Sequence, residues 1–275
     1  MTSANAPAPR PPDFGGAICK VERANDHIGA FAKASERYFA KRPYQVVQTP
    51  HEATGKPGYH LYERLPFPSR RLALLVGDAV HNLRAALDHL VCACAIAAGG
   101  DPSSTAFPVL QGEHGLGRRL KADVGDAGPL AVDLVRSLSP TPSGNPKLFA
   151  LHMLDVIDKH RLVVPLACAM DVEIQVGGYN GLPIITARGQ TAPPAQTSRF
   201  IPAPPGYEAA LAHDFSFTGD LVFPPDAPLA GEPCVEALYD LSAHVADIVQ
   251  LFERRFGTVE LSHGISRSGR IIYGA

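Results

Sequence analysis

The sequence has no C-x-x-C pair, and its five cysteines (Cys19, Cys92, Cys94, Cys168 and Cys234) are odd in number. Disulfide frameworks and structural zinc sites use paired, closely spaced thiols, so neither is expected, and a reducing cytoplasm fits. Long apolar runs are also missing. The longest, "LVCACAIAA" at 90–98, falls far short of the roughly 20 residues that span a bilayer. The N-terminus lacks a basic stretch followed by an apolar one, so it does not read as a secretory signal. Neither a G-x-S-x-G elbow, a Walker A loop nor a G-x-G-x-x-G loop occurs, and no cofactor is implied. Strong charge of one sign is lacking too, since the formal net charge is −2. That argues against a protein that coats nucleic acid generally, which would be strongly basic. It leaves open an enzyme that handles RNA locally.

What is present suits a folded chain. Of 275 residues, 45% are apolar and 19% charged, enough for a sizeable core in one or two domains. Eighteen arginines against seven lysines, with abundant Ala and Pro, read as a GC-rich bacterial coding bias. "MTSANAPAPRPPDFGG" (1–16) reads as a disordered Pro/Ala-rich leader, 17–262 as a single α+β domain, and 263–275 as an irregular tail. Apolar residues at helical spacing predict a helix over 18–41 (Val21, Ala24, Ile28, Phe31, Ala34, Tyr38). "RPYQVVQTP" and "GYHLYERLP" predict a hairpin. Ser69 starts a helix over 70–98 that "GGDP" ends. A Pro/Gly-rich connector with a short helix near 130–138 follows, and "GEHGLG" (112–117) within it reads as a loop. Further helices are expected over 143–161 and 234–256. Between them, "LVVPLACAMDVEIQV", "LPIITAR" and "GDLVFP" read as strands. The expectation is three or four long helices packed with a β-hairpin and a small, mostly antiparallel sheet, hence α+β.

Two helices carry most of the chemistry. On the 70–98 helix, Val76, Ala79, Val80, Leu83, Leu87, Leu90, Val91 and Cys94 fill one side. Asp78, His81, Asn82, Arg84, Asp88 and His89 fill the other. The bland reading is a solvated face supported by an Arg84–Asp88 pair at i,i+4. However, solvated faces favour Glu and Lys, and this one has neither. Gly77 and Ala85 lie on it as well, and small residues admit another backbone. The face is therefore expected to be covered, and its polar groups then need partners. The 143–161 helix is apolar all round and so packed on several sides. His152, Asp155 and Lys159 share one of those sides. Buried charges among Asp155, Asp158, Lys159, His160 and Arg161 must be paired or neutralised. The expectation is that "HNLRAALDH" and "DVIDKHR" face each other across one polar cluster.

Arg84 and His89, in Arg-x4-His spacing, resemble the motif of HEPN-domain RNases. That resemblance implies a helical, metal-independent, homodimeric ribonuclease, with His89 as acid–base group and Arg84 stabilising charge on the scissile phosphate. His81, Asp88, Asp158, Lys159 and His160 would support them. The segments "VGDAVHNLRAALDHLV", "LDVIDKHRL" and "FERRFG" resemble a group of uncharacterised bacterial proteins, which brings no activity with it. Two other classes stay open. One is a non-enzymatic binding or structural protein, whose cluster is a buried network or takes a small anionic ligand through Asn82, Arg84, Lys159 and Arg161. The other is a metal-dependent enzyme using His81, Asp78, Asp88, His152, Asp155, Asp158 and His160. Against it, neither helix contains H-x-x-x-H or E-x-x-H, and the E-x-x-H from Glu260 to His263 falls in the tail. Cys92 and Cys94 are expected as buried hydrophobes. His27 reads as a packing residue, His114 as solvated and His244 as a surface histidine.

Overall fold

A computed structural model describes residues 10–50, 54–161, 167–176, 185–191, 199–203 and 212–257. In these, six α-helices and six strands follow in the order α1 (Gly15–Phe39), β1 (Tyr44–Gln48), β2 (Gly58–Glu63), α2 (Ser69–Ala98), α3 (Leu116–Val124), α4 (Pro129–Ser137), α5 (Pro146–Arg161), β3 (Ala167–Val176), β4 (Ile185–Thr191), β5 (Arg199–Pro202), β6 (Ala212–Val222) and α6 (Cys234–Phe256). The fold is α+β. Among the described residues every strand pairing is antiparallel, in two three-stranded sheets ordered β1-β2-β5 and β4-β3-β6. No described helix is long and apolar enough to cross a membrane.

The chain groups into two compact units where the sequence suggests one domain over 17–262. One unit takes the chain up to Ala30, Leu74–Val164 and Glu236 onward; the other takes Phe31–Ala73 and Pro165–Val235. The second unit holds both sheets. In it the hairpin gains a third strand, β5, which pairs Tyr59 with Ile201 and His60 with Phe200. This strand was not expected, because four residues in a Pro-rich stretch carry no alternation to read. In the same unit, Tyr38 stacks edge-on against Phe39, Tyr44 and Phe67.

The first unit is helical, and its core follows the apolar periodicity. All eight residues assigned to the apolar side of α2 are buried. Leu238, Leu241, Val245, Ile248, Val249 and Phe252 are buried along α6, as are Val21, Ala24 and Ile28 along α1. Order begins earlier than the composition of the leader suggests. Phe14 is buried and meets Phe252 and Phe256 edge-on, at centroid distances of 6.3 and 5.9 Å. One aromatic anchor outweighs a Pro/Ala-rich background. Residues 1–9 of the predicted leader (1–16) and all of the predicted tail (263–275) lie outside the described residues.

"GEHGLG" is only partly a loop. Gly115 takes φ 85°, which glycine tolerates, and α3 begins at the next residue. Its glycines hid a nine-residue helix whose buried contacts are Leu120 and Val124. The N-terminus of α5 is fastened by Asn145. Its Oδ1 accepts from the Leu148 amide (3.1 Å) and lies 3.0 Å from His244 Nε2, while its Nδ2 donates to the Leu138 carbonyl (3.2 Å). His244 is therefore not a free surface histidine. It is half-buried in this cap, and burial, then Lys147, pushes its pKa down.

Candidate functional site: the polar face of α2

Two contacts and one set of electrostatic neighbours set the register between α2 and α5. His152 lies within charge range of Arg84 and Asp88. Asp155 Oδ1 is 3.3 Å from His81 Nδ1. The Asp158 carboxylate sits against Gly77, so close that a Cβ there would be 2.7 Å from its Cγ. As the residue number on α5 rises, its partner on α2 falls, so the two helices run antiparallel. The close approach at Gly77 is the one its small size suggests.

The expected single cluster is two networks. The first joins Asp155, Lys159 and His81. The Asp155 side chain is only 4% exposed, and its charge is compensated by Lys159 Nζ at 2.6 Å on Oδ2, one turn along α5. His81 on α2 faces the other carboxylate oxygen while its own side chain remains 52% exposed. A buried carboxylate beside one imidazole nitrogen fixes the ring's orientation and leaves the other nitrogen to the solvent side. Asp158 neighbours this group. Burial, then the negative charges of Asp155 and Asp78, push its pKa up against the opposing pull of His81 and Lys159.

The second network contains Arg84, one of the two residues expected at the centre of chemistry, but not His89, the other. Arg84 Nη1 donates to Asp88 Oδ1 at 2.8 Å, and Nη2 donates to the Phe107 carbonyl at 2.6 Å. The Phe107 amide donates back to Asp88 Oδ1 at 2.8 Å. One ion pair on α2 thus grips both backbone polar groups of a single connector residue. The neighbouring connector is fastened as well. Cys92 Sγ lies 3.5 Å from the carbonyls of Pro102 and Thr105, and the Ala106 amide donates to the Asp123 carbonyl at 2.9 Å. The split has a simple cause. Beyond His152, toward its N-terminus, α5 offers Leu148, Phe149 and Leu151, which present no polar group to Arg84 or Asp88.

His152 lies within charge range of both networks. Its Nδ1 is buried with no hydrogen-bond partner among the described residues. Burial first, and then Arg84 and Lys159, lower its pKa, while Asp155 and Asp88 pull the other way. By residue type and spacing, His152 shares a side of α5 with Asp155 and Lys159 and reads only as a metal ligand.

The remaining candidates disperse. His89 is exposed and faces the start of α1, where a Cβ on Gly16 would be 2.9 Å from its Nδ1. It and Arg84 thus turn to different neighbours, Gly16 and Phe107. Asn82 donates to the Asp78 carbonyl at 2.7 Å and accepts from Lys20 Nζ at 3.2 Å. His27 is largely buried, with Nδ1 3.7 Å from Asp78 Oδ2. His160 is exposed near the end of α5. The Arg161 side chain and the Glu260–His263 pair lie outside the described residues. Among the described residues no group of three or more His, Cys, Asp or Glu is placed to hold a metal ion. Cys94 is buried and its thiol pushed up to about 12 by that burial. Burial, then Asp88, raises Cys92 too, so neither is an activated nucleophile. Comparison with family models, with curated proteins and with solved structures returns no match.

Proposed function

We propose that this is a non-enzymatic binding or interaction protein in which the Arg84–Asp88 network is structural. One observation carries the reading: the Arg84 side chain is only 11% exposed, and two of its five N–H donors are committed to Asp88 and the Phe107 carbonyl. A phosphate-binding arginine needs its donors free for the scissile group. Here, withdrawing them would leave a buried carbonyl without its partner. The polar face of α2 then serves to hold the connector and α5 in place, as buried networks commonly do.

A metal-independent phosphate-handling enzyme, HEPN-like in its chemistry, is the second reading. The half-exposed His81, oriented by buried Asp155 beside Lys159, favours it. In that reading His81 has better support than His89 as the proton-transfer group. RNA would be the substrate, with a homodimer completing the site.

Incubation with a single-stranded RNA oligonucleotide separates the two. The non-enzymatic reading expects wild type, the Arg84→Ala/His89→Ala double variant and His81→Ala all to cleave no faster than a protein-free blank. Cleavage abolished in that folded double variant overturns it. Cleavage abolished by His81→Ala but retained in the double variant establishes the second reading.

A further inference from the structure

Resting on the structural reading of the Arg84 network, we infer that His152 is an acid-sensitive release for the Phe107 clamp. His152 lies within charge range of both networks, and its buried Nδ1 has no hydrogen-bond partner among the described residues. Protonation would place an N–H there that needs one. The charged groups around the ring are Arg84 and Asp88 from α2, and Asp155 and Lys159 from α5. Asp155 already serves Lys159 on one oxygen and faces His81 with the other. Asp88 is the carboxylate that can respond, but its Oδ1 holds both Arg84 and the Phe107 amide. An imidazolium there attracts Asp88 and repels Arg84, and both effects weaken the grip on Phe107. The direction of the pKa shift agrees, because burial and Arg84 already resist the added charge. Raising the proton concentration supplies what the neutral form avoids.

The structure provides an internal control. The Ala106 amide, one residue before Phe107, donates to the Asp123 carbonyl and not to the clamp. Amide exchange measured by NMR on the full chain between pH 7.5 and 5.0, corrected for intrinsic exchange, reads the two separately. Protection of the Phe107 amide is expected to fall about tenfold on acidification, the equilibrium weight of one hydrogen bond to a charged group. Ala106 should change little. In His152→Leu and His152→Gln, whose side chains cannot take up the proton, the acid-dependent loss should vanish. Two variants are used so that misfolding of one does not decide the result. A Phe107 protection independent of pH in wild type overturns the inference, as does an acid loss that persists in both variants. The RNA-cleavage assay reports separately on the reading beneath it: an active enzyme can show no switch, and an inactive protein can show one.

Discussion

Glycine to alanine in a helix normally stabilises, because alanine loses less backbone entropy on folding, a gain of ~1 kcal/mol. Two glycines in the helical unit should respond with opposite signs. At Gly29 on α1, no described residue lies within 4 Å of the position a Cβ would occupy. At Gly77 on α2, that Cβ would meet Asp158 Cγ at 2.7 Å and Oδ2 at 3.0 Å. The carboxyl carbon would have to retreat by about 0.8 Å to reach an ordinary carbon–carbon separation of ~3.5 Å. An aspartate has too short a side chain to do so without a new rotamer or a shift of α5. Overpacking of this kind costs about 1–3 kcal/mol. Gly29→Ala should therefore stabilise by ~1 kcal/mol, and Gly77→Ala should be neutral or destabilising by up to ~2 kcal/mol.

The assay is urea unfolding at pH 7, comparing ΔG at constant m. A double-mutant cycle isolates the contact. In an Asp158→Ala background the clash is gone, so Gly77→Ala should recover its ordinary gain, giving a coupling of about 1–3 kcal/mol. If Gly77→Ala stabilises wild type as much as Gly29→Ala does, or if the coupling is below about 0.5 kcal/mol, α5 does not approach α2 as described.

Arg84→Ala leaves the Phe107 carbonyl and Asp88 without their donor, so it should cost about 1.5–3 kcal/mol in urea unfolding; a loss under ~0.5 kcal/mol would contradict the clamp. Asn145→Ala removes the cap on the Leu148 amide and should cost about 1–2 kcal/mol, also by urea unfolding. Burial lowers the pKa of both His152 and His244. The unfolded chain therefore takes up protons before the folded one, and stability should fall as pH drops through about 6.5 toward the folded values. A urea midpoint that held steady or rose between pH 7.5 and 5.5 would contradict this, and a His152→Leu/His244→Gln double variant should flatten the dependence. Of the described thiols, exposed Cys19 should react first with a thiol reagent, and buried Cys94, held up at about 12, should react only on unfolding. Stopped-flow labelling would show the two phases.

The helices were legible where one periodic face does all the burying. Eight apolar positions on α2 are enough to place that helix and to define its polar face. Partners on that face were harder to read, for a physical reason. Asp155, Lys159 and His152 share a side of α5 and could be paired with α2 from side-chain chemistry alone. Phe107 could not, because Arg84 and Asp88 bind its backbone N–H and C=O, which every residue but proline carries. His244 is hidden from the sequence for a similar reason, since it completes a cap whose organiser, Asn145, lies 99 positions away. Strand β5 depends on pairing with β2, some 140 residues earlier, and its own four residues show no pattern.

The antiparallel register also accounts for the missing Glu and Lys on the polar side of α2. Positions 77, 81 and 84 are opposed by Asp158, Asp155 and His152 in turn. At 77 there is no space for any side chain. At 81 a short planar ring reaches the buried carboxylate. At 84 the guanidinium alone can bind a carboxylate and a carbonyl at once, which an ammonium on a flexible stem does with far less geometric definition. Arg84→Lys should accordingly recover less than half of the stability lost in Arg84→Ala. If lysine restores it fully, simple charge at position 84 is enough, and the two-pronged grip on Asp88 and Phe107 is not what selects arginine.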